Sequence, residues 1–175
     1  MNKWIPIMAI LTISLGAMAS PVWAKTATAQ ITGTTEGSQV SGKVLFEETS
    51  GGLKISADVS GVTPGKHGFH IHANGSCADG GKAAGGHFNP DNSPHGLLTQ
   101  DGFTKAHAGD LGNIEIATDG TGKLEEIIPG LGLSQGKHNV AGRAVIVHEK
   151  EDDFGQPVGN AGTRIGCGPI QITRE

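Results

Sequence analysis

The sequence predicts a single all-β domain, a sandwich or barrel carrying two long loops, and three observations point there. Glycine is abundant, at 29 of 175 residues, while tyrosine is absent and aromatic residues make up only 4%. Glycine weakens helix interiors and suits turns and close backbone approach. Short segments of alternating apolar and polar residues recur between glycine-rich turns, the pattern of half-buried strands. No stretch holds the 3.6-residue period of an amphipathic helix.

Residues 1–24 read as a signal peptide rather than as part of the fold. Met1-Asn2-Lys3 forms a short positive start and residues 5–19 an apolar run, the layout of a secretory leader. The run is too short and too poorly flanked for a membrane span. Val22-Trp23-Ala24 places cleavage after Ala24, with Ala19 as a competing site. No cysteine lies near either site, which argues against a lipid anchor. Residues 25–175 then form one domain of ordinary size.

Eight strands are expected, over residues 26–34, 39–47, 53–59, 67–73, 113–117, 123–128, 141–148 and 168–173. Residues 47–52 and 118–122 look like hairpin turns, where glycine supplies positive φ. The only helical turn expected is near Asp152. Two long connections, residues 74–112 and 149–166, interrupt the strands. Loops of that length in a compact domain are commonly functional, and these carry Gly, Asn, Asp, His and Cys rather than low-complexity repeats. A net charge of −4 without a basic run argues against a nucleic-acid or anionic-membrane binder. Cys77 and Cys167 read most simply as a disulfide in an exported chain, with two free thiols as the alternative.

The chemistry lies in the histidines, whose order reads as a two-metal site. His70 and His72, two apart in an expected strand, emerge on one face and make a rigid two-nitrogen platform. His148 ends an apolar strand, Ala144-Val-Ile-Val-His148, and offers a third imidazole. His87, His95, His107 and Asp110 lie in the first long loop, and three nitrogens with one oxygen are the donor set of a closed tetrahedral zinc site. Solvated or hydrogen-bonded histidines are the alternative for each group. His67 and His138 read as bystanders, held by hydrogen bonds or exposed.

Several motifs in order, Gly68-Phe-His-Ile-His72, Gly86-His-Phe-Asn-Pro90, His107-Ala-Gly-Asp-Leu-Gly-Asn113, Val147-His-Glu-Lys150 and Gly159-Asn-Ala-Gly-Thr-Arg-Ile-Gly-Cys-Gly168, closely resemble the copper–zinc superoxide dismutases, in the exported form found in the bacterial periplasm. The resemblance runs from about residue 26 to 173. It implies an eight-stranded Greek-key sandwich or flattened barrel, and dismutation of superoxide to oxygen and hydrogen peroxide. It implies copper on His70, His72, His87 and His148, and zinc on His87, His95, His107 and Asp110, with His87 bridging both. Arg164 would line the copper channel, and Asp152 would hydrogen-bond one copper and one zinc histidine, His70 and His95. Cys77 and Cys167 match the family's intrachain disulfide. The partner is the superoxide anion, with no nucleic acid, no membrane after leader removal, and a homodimer as one option among the family's monomers and dimers. The compartment implied is periplasmic, or else extracellular.

Two departures from that pattern stand out. Between Asp153 and Arg164 no charged residue occurs, whereas many family members carry charges there that steer superoxide. Lys82, Lys105 or Lys150 is the expected substitute source of positive field. The spacing from His95 to His107 is also longer, which lengthens the zinc loop. Two other readings compete: a non-catalytic copper-binding or copper-delivery module on the same fold, and a zinc hydrolase. The first is weakened by the presence of every copper histidine and of Arg164. The second lacks a carboxylate placed as general base beside an open zinc position.

Overall fold

The computed structural model describes residues 24–175. The leader reading for residues 1–24 thus falls outside the described residues, apart from Ala24. Strands Thr26–Gly33, Ser41–Thr49, Gly52–Ser60, Gly65–His72, Asp110–Ile116, Gly122–Ile128, Ala144–His148 and Arg164–Arg174, labelled β1 to β8 in chain order, form a closed antiparallel barrel. Their order around it is β1-β2-β3-β6-β5-β4-β7-β8. The expected all-β, eight-stranded Greek-key architecture is thus the observed one.

Alternation explains the first half of the barrel. Ala27, Ala29 and Ile31 on β1, Val44 and Phe46 on β2, and Leu53, Ile55, Ala57 and Val59 on β3 all point inward and are buried. Both expected hairpin turns are present, joining β2 to β3 and β5 to β6. Strands β4 and β7 behave differently. From His67 to His72 and from Ala144 to His148 every residue is buried, on both faces. Phe69, Ile71, Val145 and Val147 belong to the main core, whereas Ala144 and Ile146 join Ala84 and Cys167 in a second, smaller cluster. The first long loop, through Ala84 and Cys77, covers the outer face there and creates that second layer.

The first loop is stitched to β4 by main-chain hydrogen bonds: Ala73 N–H to Gly86 O at 2.9 Å, Phe88 N–H to Ile71 O at 2.8 Å, and Ile71 N–H to Gly109 O at 2.9 Å. Gly109 is required there, since a Cβ at this position would lie 2.0 Å from Ile71 O. The disulfide Cys77–Cys167 anchors the same loop to β8, as the cysteine pair predicted.

Two features differ from the sequence reading. The helical turn near Asp152 is absent. Short helices occur instead in the first loop, a 3-10 turn over Lys82–Ala84 and α1 over Leu98–Asp101. The Asp152 carboxylate accepts the Phe154 N–H at 2.8 Å, a local side-chain bond that competes with helix formation. At α1 the buried Leu98 gives a short helix an apolar anchor. A third long connection, residues 129–143, also runs between β6 and β7. Its Leu131, Leu133 and Val140 are buried, and Glu48 of β2 fixes it by accepting the Leu133 and Ser134 N–H groups at 2.7 and 2.9 Å.

Candidate metal centre

Irregular strand pairing aims the histidines. The β4–β5 register shifts between Gly68 and His70, and the β7–β8 register shifts between Val147 and His148. Such bulges re-aim side chains next to functional sites. The result is that His70, His72 and His148 meet His87 of the first loop, offering four ligand atoms within 4.8 Å of one another. His87, His95, His107 and Asp110 form a second group of the same tightness. His87 is the one residue in both.

Hydrogen bonds leave one nitrogen free on each ring of the first group. His72 donates from Nδ1 to Gly85 O at 2.9 Å, and His148 from Nδ1 to Gly162 O at 3.3 Å. Their Nε2 atoms are left facing each other at 3.3 Å. His70 donates from Nε2 to Asp152 Oδ2 at 2.7 Å. Its Nδ1 is buried with no hydrogen-bond partner. In the second group, Asp110 Oδ1 lies 2.7 Å from His87 Nδ1 and 3.0 Å from His107 Nδ1. His95 Nδ1 lies 2.8 Å from Asp110 Oδ2, yet it too makes no hydrogen bond.

These residues fit metals. Two buried imidazole nitrogens without partners are costly, and a cation between the converging donors removes that cost. A tetrahedral zinc with bonds of about 2.0–2.1 Å holds its ligand atoms about 3.3 Å apart. His87 Nδ1 and His107 Nδ1 are 3.4 Å apart. Nitrogen donors with one carboxylate suit zinc, and imidazole alone suits copper.

At His72, His148 and His87 the electrostatics agree with that fit. Burial holds the imidazoles of His72, His148 and His87 far below the usual histidine value, at about 2, about 3 and about 4, with neighbouring histidines adding repulsion. These rings are neutral near pH 7 and keep their lone pairs. His95 behaves oppositely. Burial alone lowers it, but hydrogen bonds and attraction from Asp110 and Asp152 overcome this and raise it to about 9. Asp110 and Asp152 both sit below the usual carboxylate range, because bonds from the surrounding histidines outweigh burial.

Asp152, fully buried, joins the two groups by accepting from His70 Nε2 and, at 3.0 Å, from His95 Nε2. Arg164 lines a cavity of about 200 Å³ together with His72, His87, His148, Val158 and Asn160. Its guanidinium donates to Gly81 O and Gly85 O, each at 2.6 Å. His67 and His138 stay outside both groups. His67 is buried, tied by Nδ1 to His148 O and by Nε2 to Thr63 O, each at 2.8 Å. His138 pairs with Asp91 at 2.6 Å and stacks on Phe103.

Four neighbours had escaped the sequence reading. Gly85 supplies one carbonyl to both His72 and Arg164. Asn113 brackets the Asp152 main chain with two bonds of 2.8 and 2.9 Å. Gln156 does the same to His95 at 2.8 and 3.1 Å. Gly159, at φ +78°, leaves room beside Asp152 and His95. Asn113 and Gly159 carried a signal, since one closes and the other opens a matched motif.

The model of the family described as copper/zinc superoxide dismutase (SODC) matches residues 40–170. An extracellular superoxide dismutase [Cu-Zn] of Caenorhabditis elegans is 39% identical over 141 residues, 77% of this chain. The chain spans only 62% of that relative's length. A superoxide dismutase [Cu-Zn] of Onchocerca volvulus is 40% identical over 78% of this chain and 91% of its own. An extracellular superoxide dismutase [Cu-Zn] of Brugia pahangi is 36% identical over 85% of this chain and 78% of its own. The crystal structure of the clock protein EA4 superposes with a TM-score of 0.75 and 32% identity, covering 89% of this chain and 99% of that one. With both histidine groups in place on such a barrel, this chain belongs to the copper/zinc superoxide dismutase family.

Proposed function

We propose that the chain dismutes superoxide, turning two anions and two protons into oxygen and hydrogen peroxide, with copper on His70, His72, His87 and His148 and zinc on His87, His95, His107 and Asp110. The observation that carries this is His87, whose ring belongs to two converging donor groups at once. Bound copper supplies the one-electron exchange with superoxide, and zinc, redox-silent, supplies fixed positive charge.

The protein's own groups do the rest. Asp110 and His107 face Nδ1 of His87, so Nε2 is left for the other group and is the atom at which a proton can be held for the peroxide product. Arg164 spends two of its donors on Gly81 and Gly85. A guanidinium carries five N–H donors, and the remaining ones can hold a small anion by charge-assisted bonds beside His72, His87 and His148. Asp152 fixes the orientation of His70 and His95 through Nε2 of each, keeping Nδ1 aimed inward.

Residues 1–24 are proposed as a cleaved leader and residues 25–175 as the functional domain. Two of the similar proteins are named extracellular, which supports export, and the leader composition supports a periplasmic destination equally well. Superoxide is the proposed small-molecule partner, and a homodimer stays one option beside a monomer. The test is superoxide consumption by protein loaded with both metals, against a copper-free preparation. Rapid consumption that vanishes without copper is expected. Copper binding with no rate above free copper would point to a delivery module and overturn the reading. Anomalous scattering at the copper and zinc edges checks which group holds which metal.

A further inference from the structure

The second loop, residues 149–163, is where the sequence lacks the steering charges expected of the family, yet it does not hang loose. Three residues of one short stretch, Asp152, Phe154 and Gln156, converge on His95. Asp152 accepts from its imidazole Nε2 at 3.0 Å. The Phe154 ring lies roughly parallel to the imidazole, 19° between planes and 6.4 Å between centres. The Gln156 side-chain amide takes both main-chain groups of the same residue: its Nε2 donates to His95 O at 2.8 Å, and His95 N–H donates to its Oε1 at 3.1 Å.

That two-point contact is the pairing one strand makes with its neighbour, supplied here by a side chain. It matters because His95 sits in loop rather than strand. In an irregular segment the main chain has little else to fix it, whereas His70, His72 and His148 are held by barrel ladders. A ligand fixed at both its ring and its backbone loses less freedom when it binds a metal.

We infer that Gln156 is a positioning residue for the zinc-side histidine, clamping the His95 main chain so that its Nδ1 stays aimed at the metal position. The inference rests on the zinc reading above. It also assigns the second loop a task other than steering: it holds the zinc loop in register.

The test is a competitive zinc titration of the metal-free, disulfide-bonded protein against a chromophoric chelator, with cobalt substitution to read the d–d absorption of the site. Gln156→Ala is expected to weaken zinc affinity on the order of ten- to a hundredfold and to shift the cobalt bands. Gln156→Glu keeps the acceptor for His95 N–H but sets a carboxylate against His95 O, so it should weaken binding too, and it serves if Gln156→Ala does not fold. Asp153→Ala is the comparator. Asp153 caps the same loop through Gly155 and Asn160 without touching His95, and its loss should leave affinity within about threefold, below the effect expected for the clamp. The clamp is overturned if Gln156→Ala changes neither affinity nor spectrum, or if Asp153→Ala matches its effect. His95→Ala tests the underlying reading separately: if it binds zinc as tightly as the unaltered chain, the zinc assignment fails and takes the clamp with it.

Discussion

At His87 a single imidazole has to serve two sets of donors, and the residues around it keep its ring and those of His72 and His148 uncharged. Burial holds the proton affinities of His72, His148 and His87 at about 2, 3 and 4, against about 6.5 for an exposed histidine. In the metal-free protein the unfolded chain therefore binds more protons than the native one below pH 6.5, and stability must fall as pH drops. His95 acts in the opposite direction. Its value of about 9 gives a contribution that is full below pH 6.5 and lost as pH rises through 9. Melting temperatures of the metal-free protein at pH 5, 6.5 and 9 should peak at the middle value, and a steady rise from 5 to 9 would contradict this assignment. Gly159 gives a second check at this scale. A Cβ there would lie 1.9 Å from Asp152 Oδ1 and 2.6 Å from His95 Nε2, at a backbone φ of +78°. Gly159→Ala should keep the barrel's far-UV spectrum but speed the loss of both metals to a chelator, by at least about tenfold. The donor residues were legible in the sequence because their side-chain chemistry is itself the signal. Gly85 was not, since what it contributes is a carbonyl oxygen that every residue possesses.

Among the elements, the inserted stretch of the first loop is the one whose purpose emerges only in three dimensions. The longer His95–His107 spacing folds into α1 and delivers Phe103 onto His138 of the third connection, rings 3.8 Å apart and 5° from parallel. Asp91 binds His138 at 2.6 Å and Lys137 at 2.5 Å, so the two loops are latched at neighbouring points. Phe103→Ala should lower unfolding free energy by about 1–2 kcal/mol, the loss of a stacked pair and part of its buried area. Urea denaturation of the metal-free protein measures it, and a change below about 0.3 kcal/mol would show the latch to be idle. Most of the strands could be read ahead because a core on one face imposes a two-residue period, β4 among them through the alternation of His70 and His72 with Phe69 and Ile71. Strand β7 was found by its apolar run instead. The third connection escaped notice because Leu131, Leu133 and Val140 anchor it inward without any regular period. The α1 turn escaped because one buried leucine, Leu98, decides it.

For the molecule as a whole, a net charge of −4 repels the anionic substrate, so approach must depend on local positive charge. Lys82 borders a cavity shared with Arg164, and Lys150 packs beside Gly162 at the channel rim. Neutralising Lys82, Lys105 and Lys150 together should slow superoxide consumption and flatten its dependence on salt; an unaltered rate and slope would exclude them. The closed barrel, by contrast, owes the metals little. Its apolar cluster and its continuous strand pairing hold it together, so removing both ions should spare the strand signal and loosen mainly the loops. The seam of the barrel joins the first described strand to the last, with Thr26 opposite Arg174, and Cys167 lies on that last strand. A chain still being made lacks this closing stave until β8 has emerged. Neither the ring nor the sulfur bridge can form before then. One late segment thus decides both closures, so the loops that the bridge tethers settle only after the staves have met.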